Sequence, residues 1–376
     1  DRRQRQMCIR DRQYPTHVFR RKIRMRYNSF HPGQVWLDTN GKRIHAHGGS
    51  ILYENGRYYW YGENKEKTTG ENGIWHWGIR CYVSDDLYNW EDLGLIIPPE
   101  PDDPASTLHP SRCVDRPHIL HNARTGKYVC WLKVMFTDGT QRYTILVADQ
   151  LLGPYTKKQE GLLPLGMSAG DFDLAVADDG KAYYYFERVH SELICADLTD
   201  DYTGLTGYYS THFPHLGPPY TREAPAHFMR LGKHYLLTSG TTGYLPNPSE
   251  LAVADSWHGP YRVLGDPHPS DESRTSFHSQ VSSVFKVPGK KDLYIACADR
   301  WLPEKMDLPY ETYRRIFAHL FHSDPNTKAL LLQKEDIPNT GPDNTSLADY
   351  VWLPLRFDGE MAYIDWLDEW KIEDYE

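Results

Sequence analysis

The chain has 376 residues, 40% of them hydrophobic, which suffices for a large core and fits a single domain. Its formal net charge of −9 offers no basic field to phosphates, so nucleic acid is not an expected partner. No run of 18 apolar residues occurs, so no membrane-spanning helix is expected.

Residues 1–24 (DRRQRQMCIRDRQYPTHVFRRKIR) are basic and aperiodic and lack the apolar core of a signal peptide. They are expected to be a non-native or disordered tail before Met25, with residues 25–376 forming one domain. With no secretion signal read, the expected location is cytoplasmic. Next, Val35–Ile44 reads as a hairpin around Asn40-Gly41.

From there one pattern recurs five times: a small or polar residue, an apolar strand, a turn glycine 8 to 11 residues on, and a second, aromatic-rich strand. The copies open at Gly48, Asp115, Asp171, Glu223 and Gln280, with turn glycines at 56, 126, 180, 232 and 289. Each continues into a third strand ended by Asp, such as Val147-Ala148-Asp149 or Val253-Ala254-Asp255, and then a fourth. The period predicts an all-β fold, a five-bladed β-propeller of four-stranded antiparallel blades. Val35–Ile44 and Tyr350–Trp366 are expected to clasp the ring, and 201–222, 263–279 and 302–349 read as loops. Six cysteines (8, 81, 113, 130, 195, 297) show no CxxC spacing and read as buried thiols.

In a propeller the equivalent positions converge on one axis. Asp115, Asp171, Glu223 and Gln280 would therefore meet at one mouth of the channel, while Gly48 brings no side chain. Carboxyls so close repel unless one is protonated or a ligand intervenes, and a raised pKa beside an ionised partner is what glycoside hydrolysis needs. Glu223 is the expected general acid, because its longer side chain reaches further in, and Asp171 the neighbour that tunes it. Gln280 can position a water, and Asp115 is a base by its chemistry. His45 and His47 have no third ligand at metal spacing, so neither metal nor cofactor is expected.

These residues carry a family resemblance. HAHGGSILYENGRYYWYGEN, REAP, TSGTTGYLPN and SQ, between about Val35 and Trp366, make the chain resemble glycoside hydrolase family 43, and within it the exo-β-1,3-galactanase branch. The resemblance implies a five-bladed propeller that inverts the anomeric centre and takes an oligo- or polysaccharide as its partner. Most members open blade 1 with Asp-Pro, whose Asp is the base; Gly48-Gly49 stands here. The branch implies Glu223 as acid, Asp171 as its modulator, and Gln280 as holder of the attacking water, as amide or imidic acid. It also implies Glu63 as an acceptor of sugar hydroxyls. His47, Trp75, Thr241, Tyr244, Asn247 and Trp301 are expected around the sugar, the tryptophans as stacking platforms. Two positions depart from the branch: Asp115-Arg116-Pro117 replaces Glu-Arg-Pro, and Gly170 replaces an Arg before Asp171. The implied reaction is release of terminal galactose from β-1,3-galactan or galacto-oligosaccharides. The alternatives are an arabinofuranosidase or xylosidase of the same family, or an inactive sugar-binding propeller.

Overall fold

A computed structural model describes residues 26–376; the tail expected at 1–24, with Cys8, lies outside the described residues. Five four-stranded antiparallel sheets stand around one axis, and each is built from four strands consecutive in the chain. Blade 1 is β1 (His47–Glu54), β2 (Arg57–Glu63), β3 (Ile79–Ser84) and β4 (Glu91–Ile97). Blade 2 is β5 (Cys113–Asn122), β6 (Lys127–Met135), β7 (Gln141–Ala148) and β8 (Thr156–Leu162). Blade 3 is β9 (Ala169–Val176), β10 (Ala182–Arg188), β11 (Glu192–Leu198) and β12 (Leu205–His212). Blade 4 is β13 (Arg222–Arg230), β14 (Lys233–Gly240), β15 (Glu250–Ala254) and β16 (Arg262–Gly265). Blade 5 is β17 (Gln280–Lys286), β18 (Tyr294–Arg300), β19 (Asp349–Asp358) and β20 (Met361–Ile364). The first strand of every blade is innermost, and β1, β5, β9, β13 and β17 touch in ring order, with β17 closing on β1.

The apolar residues of each blade pack against the next blade, so the core is a set of seams rather than one centre. The seam between blades 5 and 1 closes the ring, and it is aromatic. Trp60 lies 4.6 Å from Tyr350 and 4.5 Å from Trp352, centroid to centroid. A buried tryptophan removes about 200 Å² from water, worth on the order of 5 kcal/mol before entropy is charged against it.

Among the described residues no strand is exchanged to clasp the ring. Tyr350–Trp366 supplies the outer strands of blade 5, not a separate clasp. Val35–Ile44 folds back through the Leu37–Arg43 bridge and drives Trp36 into the seam, against Trp60 and Trp352. The two ends meet instead through the bridge between Phe30 and Trp370, whose rings stack at 4.3 Å. Terminal strands can therefore close the ring by burial, without entering each other's sheets.

The segments expected to be loops hold regular structure. All of β12 is in 201–222, and 302–349 carries helices α1 (Tyr310–Leu320) and α2 (Pro325–Leu332). Helix α1 forms because Tyr310, Tyr313, Phe317 and Phe321 recur at intervals of three and four, one stripe of a helix.

Candidate active site

Each inner strand carries a register irregularity within its first residues. In blades 1, 2 and 4 pairing stops after His47, Asp115 and Glu223 and resumes at Ser50, His118 and Ala226. Blade 3 does the same between Ala169 and Phe172, and blade 5 slips between Val281 and Ser283. Such bulges re-aim side chains at the end of a strand. The backbone is left-handed inside three of them, with φ of 61° at Gly48, 53° at Arg116 and 49° at Ala224. This register corrects the repeat read from the sequence. The counterpart of Asp115 and Glu223 in blade 1 is His47, not Gly48; in blade 3 it is Ala169, with Asp171 two residues further in.

The bulged ends frame a cavity of about 490 Å³ at one mouth of the channel. Four carboxyl side chains line it: Glu63, Asp115, Asp171 and Glu223. Three of them are paired with cations. Glu63 meets Lys65 at 2.7 Å, Asp115 meets Lys133 at 3.0 Å, and Asp171 meets both Lys133 at 2.7 Å and Arg116 at 3.2 Å. Among the described residues Glu223 makes no ion pair; its Oε1 accepts a hydrogen bond from the Gln280 amide at 3.0 Å. The Arg222 beside it points away, bonding Thr238 at 2.9 Å.

Protonation follows from these partners. Burial, then the charges of Asp171 and Glu187, push Glu223 well above the ordinary carboxyl range. Burial opposes ionisation of Asp115 and Asp171 too. It is overcome by Lys133 and Lys65 at Asp115, and by Arg116 and Lys133 at Asp171, and both are held low. Burial outweighs Lys65 at Glu63 and, helped by Asp115, lifts it to about 7.

Gln280 is fully engaged. Its amide nitrogen donates to Glu223 and, at 2.9 Å, to Ser239; its oxygen accepts from Arg116 at 2.6 Å and Trp301 at 3.1 Å. Guanidinium and indole have no acceptor, so a hydroxyl on that oxygen would have nothing to donate to. The network therefore holds the ordinary amide rather than the imidic acid. Gln280 also stands beside Glu223, not across the cavity from it.

The remaining expected residues divide. Trp75, Tyr244 and Trp301 form one aromatic row on the cavity wall, with neighbouring centroids 5.9 and 5.2 Å apart. Trp75 donates to Asp115 at 3.0 Å. Thr241 lines the cavity, but its hydroxyl is bonded to Thr221. His47 and Asn247 do not line it. His47 is wholly buried, bonded to Asp299 at 2.9 Å and stacked on Tyr350. Asn247 ties down its own loop through Gly240 and Thr242. Both are polar residues in the right stretch of chain that the backbone turns inward.

Lys133, Arg116 and Glu187 were not among the expected site residues. Lys133 breaks an otherwise apolar strand, YVCWLKVM, which is a readable signal of a buried ionic role. Glu187 has no such mark. It is buried, its Oε1 accepts from the His190 amide at 2.7 Å, and a Cβ at Gly170 would lie 2.0 Å from its Oε2. The glycine before Asp171 is what admits it. Cys113 departs from the expected burial: it is half-buried and its thiol donates to Asp115 at 3.1 Å, while Cys81, Cys130, Cys195 and Cys297 are buried free thiols.

Among solved structures, a β-1,3-galactosidase of family 43 superposes with a TM-score of 0.72 at 27% identity, over 93% of this chain and 65% of its own. The chain thus spans just under two thirds of that protein's length. A second family 43 β-1,3-galactosidase, solved with galactodeoxynojirimycin, gives 0.72 at 28% identity, over 91% of this chain and all of its own. An exo-β-1,3-galactanase from Phanerochaete chrysosporium, solved with galactose, shares the fold with a TM-score of 0.72 at 24% identity, over 92% of this chain and 68% of its own. No curated protein matches the chain by sequence. The sequence pattern of Glycosyl hydrolases family 43 matches residues 43–316, from the approach to blade 1 as far as helix α1. Over so much of the propeller the match decides the matter: the chain belongs to glycosyl hydrolases family 43.

Proposed function

We propose that this glycoside hydrolase releases terminal galactose from β-1,3-galactan or its oligosaccharides, with inversion at the anomeric carbon. The observation that carries the reading is the isolation of Glu223, among the described residues the one cavity-lining carboxyl without an ion pair. An acid that keeps its proton at neutral pH, beside carboxylates that do not, is the pairing that glycoside hydrolysis uses. Because the Gln280 amide donates to Oε1 of Glu223, the proton sits on Oε2. That oxygen gives it to the departing glycosidic oxygen.

Water is activated on the opposite side. In a ring of five, blade 4 faces the seam between blades 1 and 2, which supply Glu63 and Asp115. We assign the water's proton to Asp115, which Lys133 and Lys65 keep ionised, and sugar hydroxyls to Glu63. Gln280, next to the acid, orients it. Inversion asks for about 6.5–9.5 Å between the acid and the base, room that blades on opposite sides of a ring can provide.

Galactose as the sugar is supported by the two β-1,3-galactosidases of similar structure. Proton NMR of the first products, from a panel of β-1,3-galactan and galacto-, arabino- and xylo-oligosaccharides, tests the reading. It predicts α-galactose as the first product. Arabinose or xylose would replace the sugar assignment, β-galactose would overturn inversion, and binding without release would mark a sugar-binding propeller.

A further inference from the structure

The cavity is chemically divided. Its floor is the ionic cluster; its rim is apolar, with Met135, Val189, Phe317 and Phe321. Phe317 lies in helix α1 and Phe321 caps its C-terminal end; the helix is inserted between β18 and β19 of blade 5, yet it is fastened to other blades. The Tyr313 hydroxyl donates to the Pro246 carbonyl, and Arg314 donates to the Tyr220 hydroxyl at 2.8 Å. Phe317 rests on the blade 4 loop, its ring edge 3.7 Å from where a Cβ on Gly243 would stand. Phe321 meets the His190 ring of blade 3 edge-on at 4.6 Å. Helix α1 thus crosses the mouth and presents two nearly parallel rings, 6.2 Å apart, to the space above Glu223. Phe321 stays 38% exposed, an aromatic surface that nothing among the described residues covers.

We propose that helix α1 is the leaving-group subsite, and that Phe317 and Phe321 stack on the apolar face of the sugar just beyond the cleaved bond. This rests on the reading that the terminal sugar occupies the ionic floor. With that sugar on the floor and its linkage at Glu223, the next unit emerges at the rim. A pyranose ring shows C–H groups on one face, and an aromatic ring is the surface that takes them. The floor then selects the sugar that is released, and the helix selects for a sugar as the group it leaves.

The test is a ratio of affinities in the Glu223→Gln background, measured by calorimetry for galactose against β-1,3-galactobiose and for xylose against xylobiose. The disaccharide should bind more tightly than its monosaccharide. Phe317→Ala/Phe321→Ala should reduce that advantage about tenfold while monosaccharide affinity stays within about twofold. Phe317→Tyr/Phe321→Tyr should retain it. An unchanged monosaccharide affinity also shows that the variant is folded with its floor intact. If only the xylose pair binds, the galactose reading fails and the same ratio still judges the helix. The proposal is overturned if the Ala variant keeps the full advantage, if it loses monosaccharide binding equally, or if no disaccharide outbinds its monosaccharide.

Discussion

Gly48 matters for what stands next to it. A Cβ there would lie 2.5 Å from Oε1 of Glu63, and its φ of 61° is one that side chains resist. The glycine leaves room for the carboxylate that reaches over from β2, so the blade 1 contribution to the cavity comes from its second strand. Gly48→Ala should cost about 1–3 kcal/mol in denaturant unfolding and raise KM by displacing Glu63. Unchanged stability and unchanged KM would refute this account of the position. The residue type at 48 was legible in the sequence, and its meaning was not, because the contact joins residues 48 and 63 across a bulge. Glu223 and Asp115 were legible because a repeat placed them; Asp171 was read at the same position, although the folded register sets it two residues beyond Ala169. Lys133, Arg116 and Glu187 lie off the repeat's opening position, and only the folded register brings them in.

At the scale of elements, strands announced themselves through alternation, turn glycines and aromatic runs, and twenty of them complete the five blades. The bulges did not: two residues facing one is invisible in a linear pattern, which is why blade 1 aligned one residue late. Helix α1 was hidden by the polar and proline-rich segment around it, although its aromatic spacing was already helical. Ring closure was misjudged for a different reason. A closed ring needs its ends joined, but burial does this as well as strand exchange. The Phe30 side chain, 2% exposed, packs on Trp370, Trp36 and Tyr88. Phe30→Ala should therefore cost about 3–5 kcal/mol in urea unfolding, with the released anomer unchanged. A loss under about 1 kcal/mol would mean that this bridge does not close the ring.

For the whole molecule, the floor concentrates charge that the surrounding fold must tolerate. Five carboxyl groups (Glu63, Asp115, Asp171, Glu187, Glu223) face three cations (Lys65, Lys133, Arg116). Burial, together with the charge of Asp171, lifts Glu187 to about 7 from its ordinary 4.5. The folded protein therefore holds that proton more tightly than the unfolded chain. The stability this gives is complete below pH 4.5 and is lost as pH rises through about 7. Buried histidines work the other way: burial takes His45 and His227 down to about 3 and His76 and His212 to about 4, and their contribution is lost as pH falls. Comparing Glu187→Gln with the parent cancels the histidines. The variant should gain in melting temperature relative to the parent as pH rises from 4.5 to about 7, and should hold that gain at higher pH. A difference independent of pH would show that Glu187 carries no proton through that range.

The central claim is that Glu223 is the proton donor, and its dependence on the leaving group tests it most directly. We predict that Glu223→Gln lowers kcat/KM for β-1,3-galactobiose by about 10²–10⁴. Turnover of 2,4-dinitrophenyl β-galactoside, whose leaving group departs without a proton, should fall far less. Equal losses on both substrates, or galactobiose turnover within a few fold of the parent, would contradict the account.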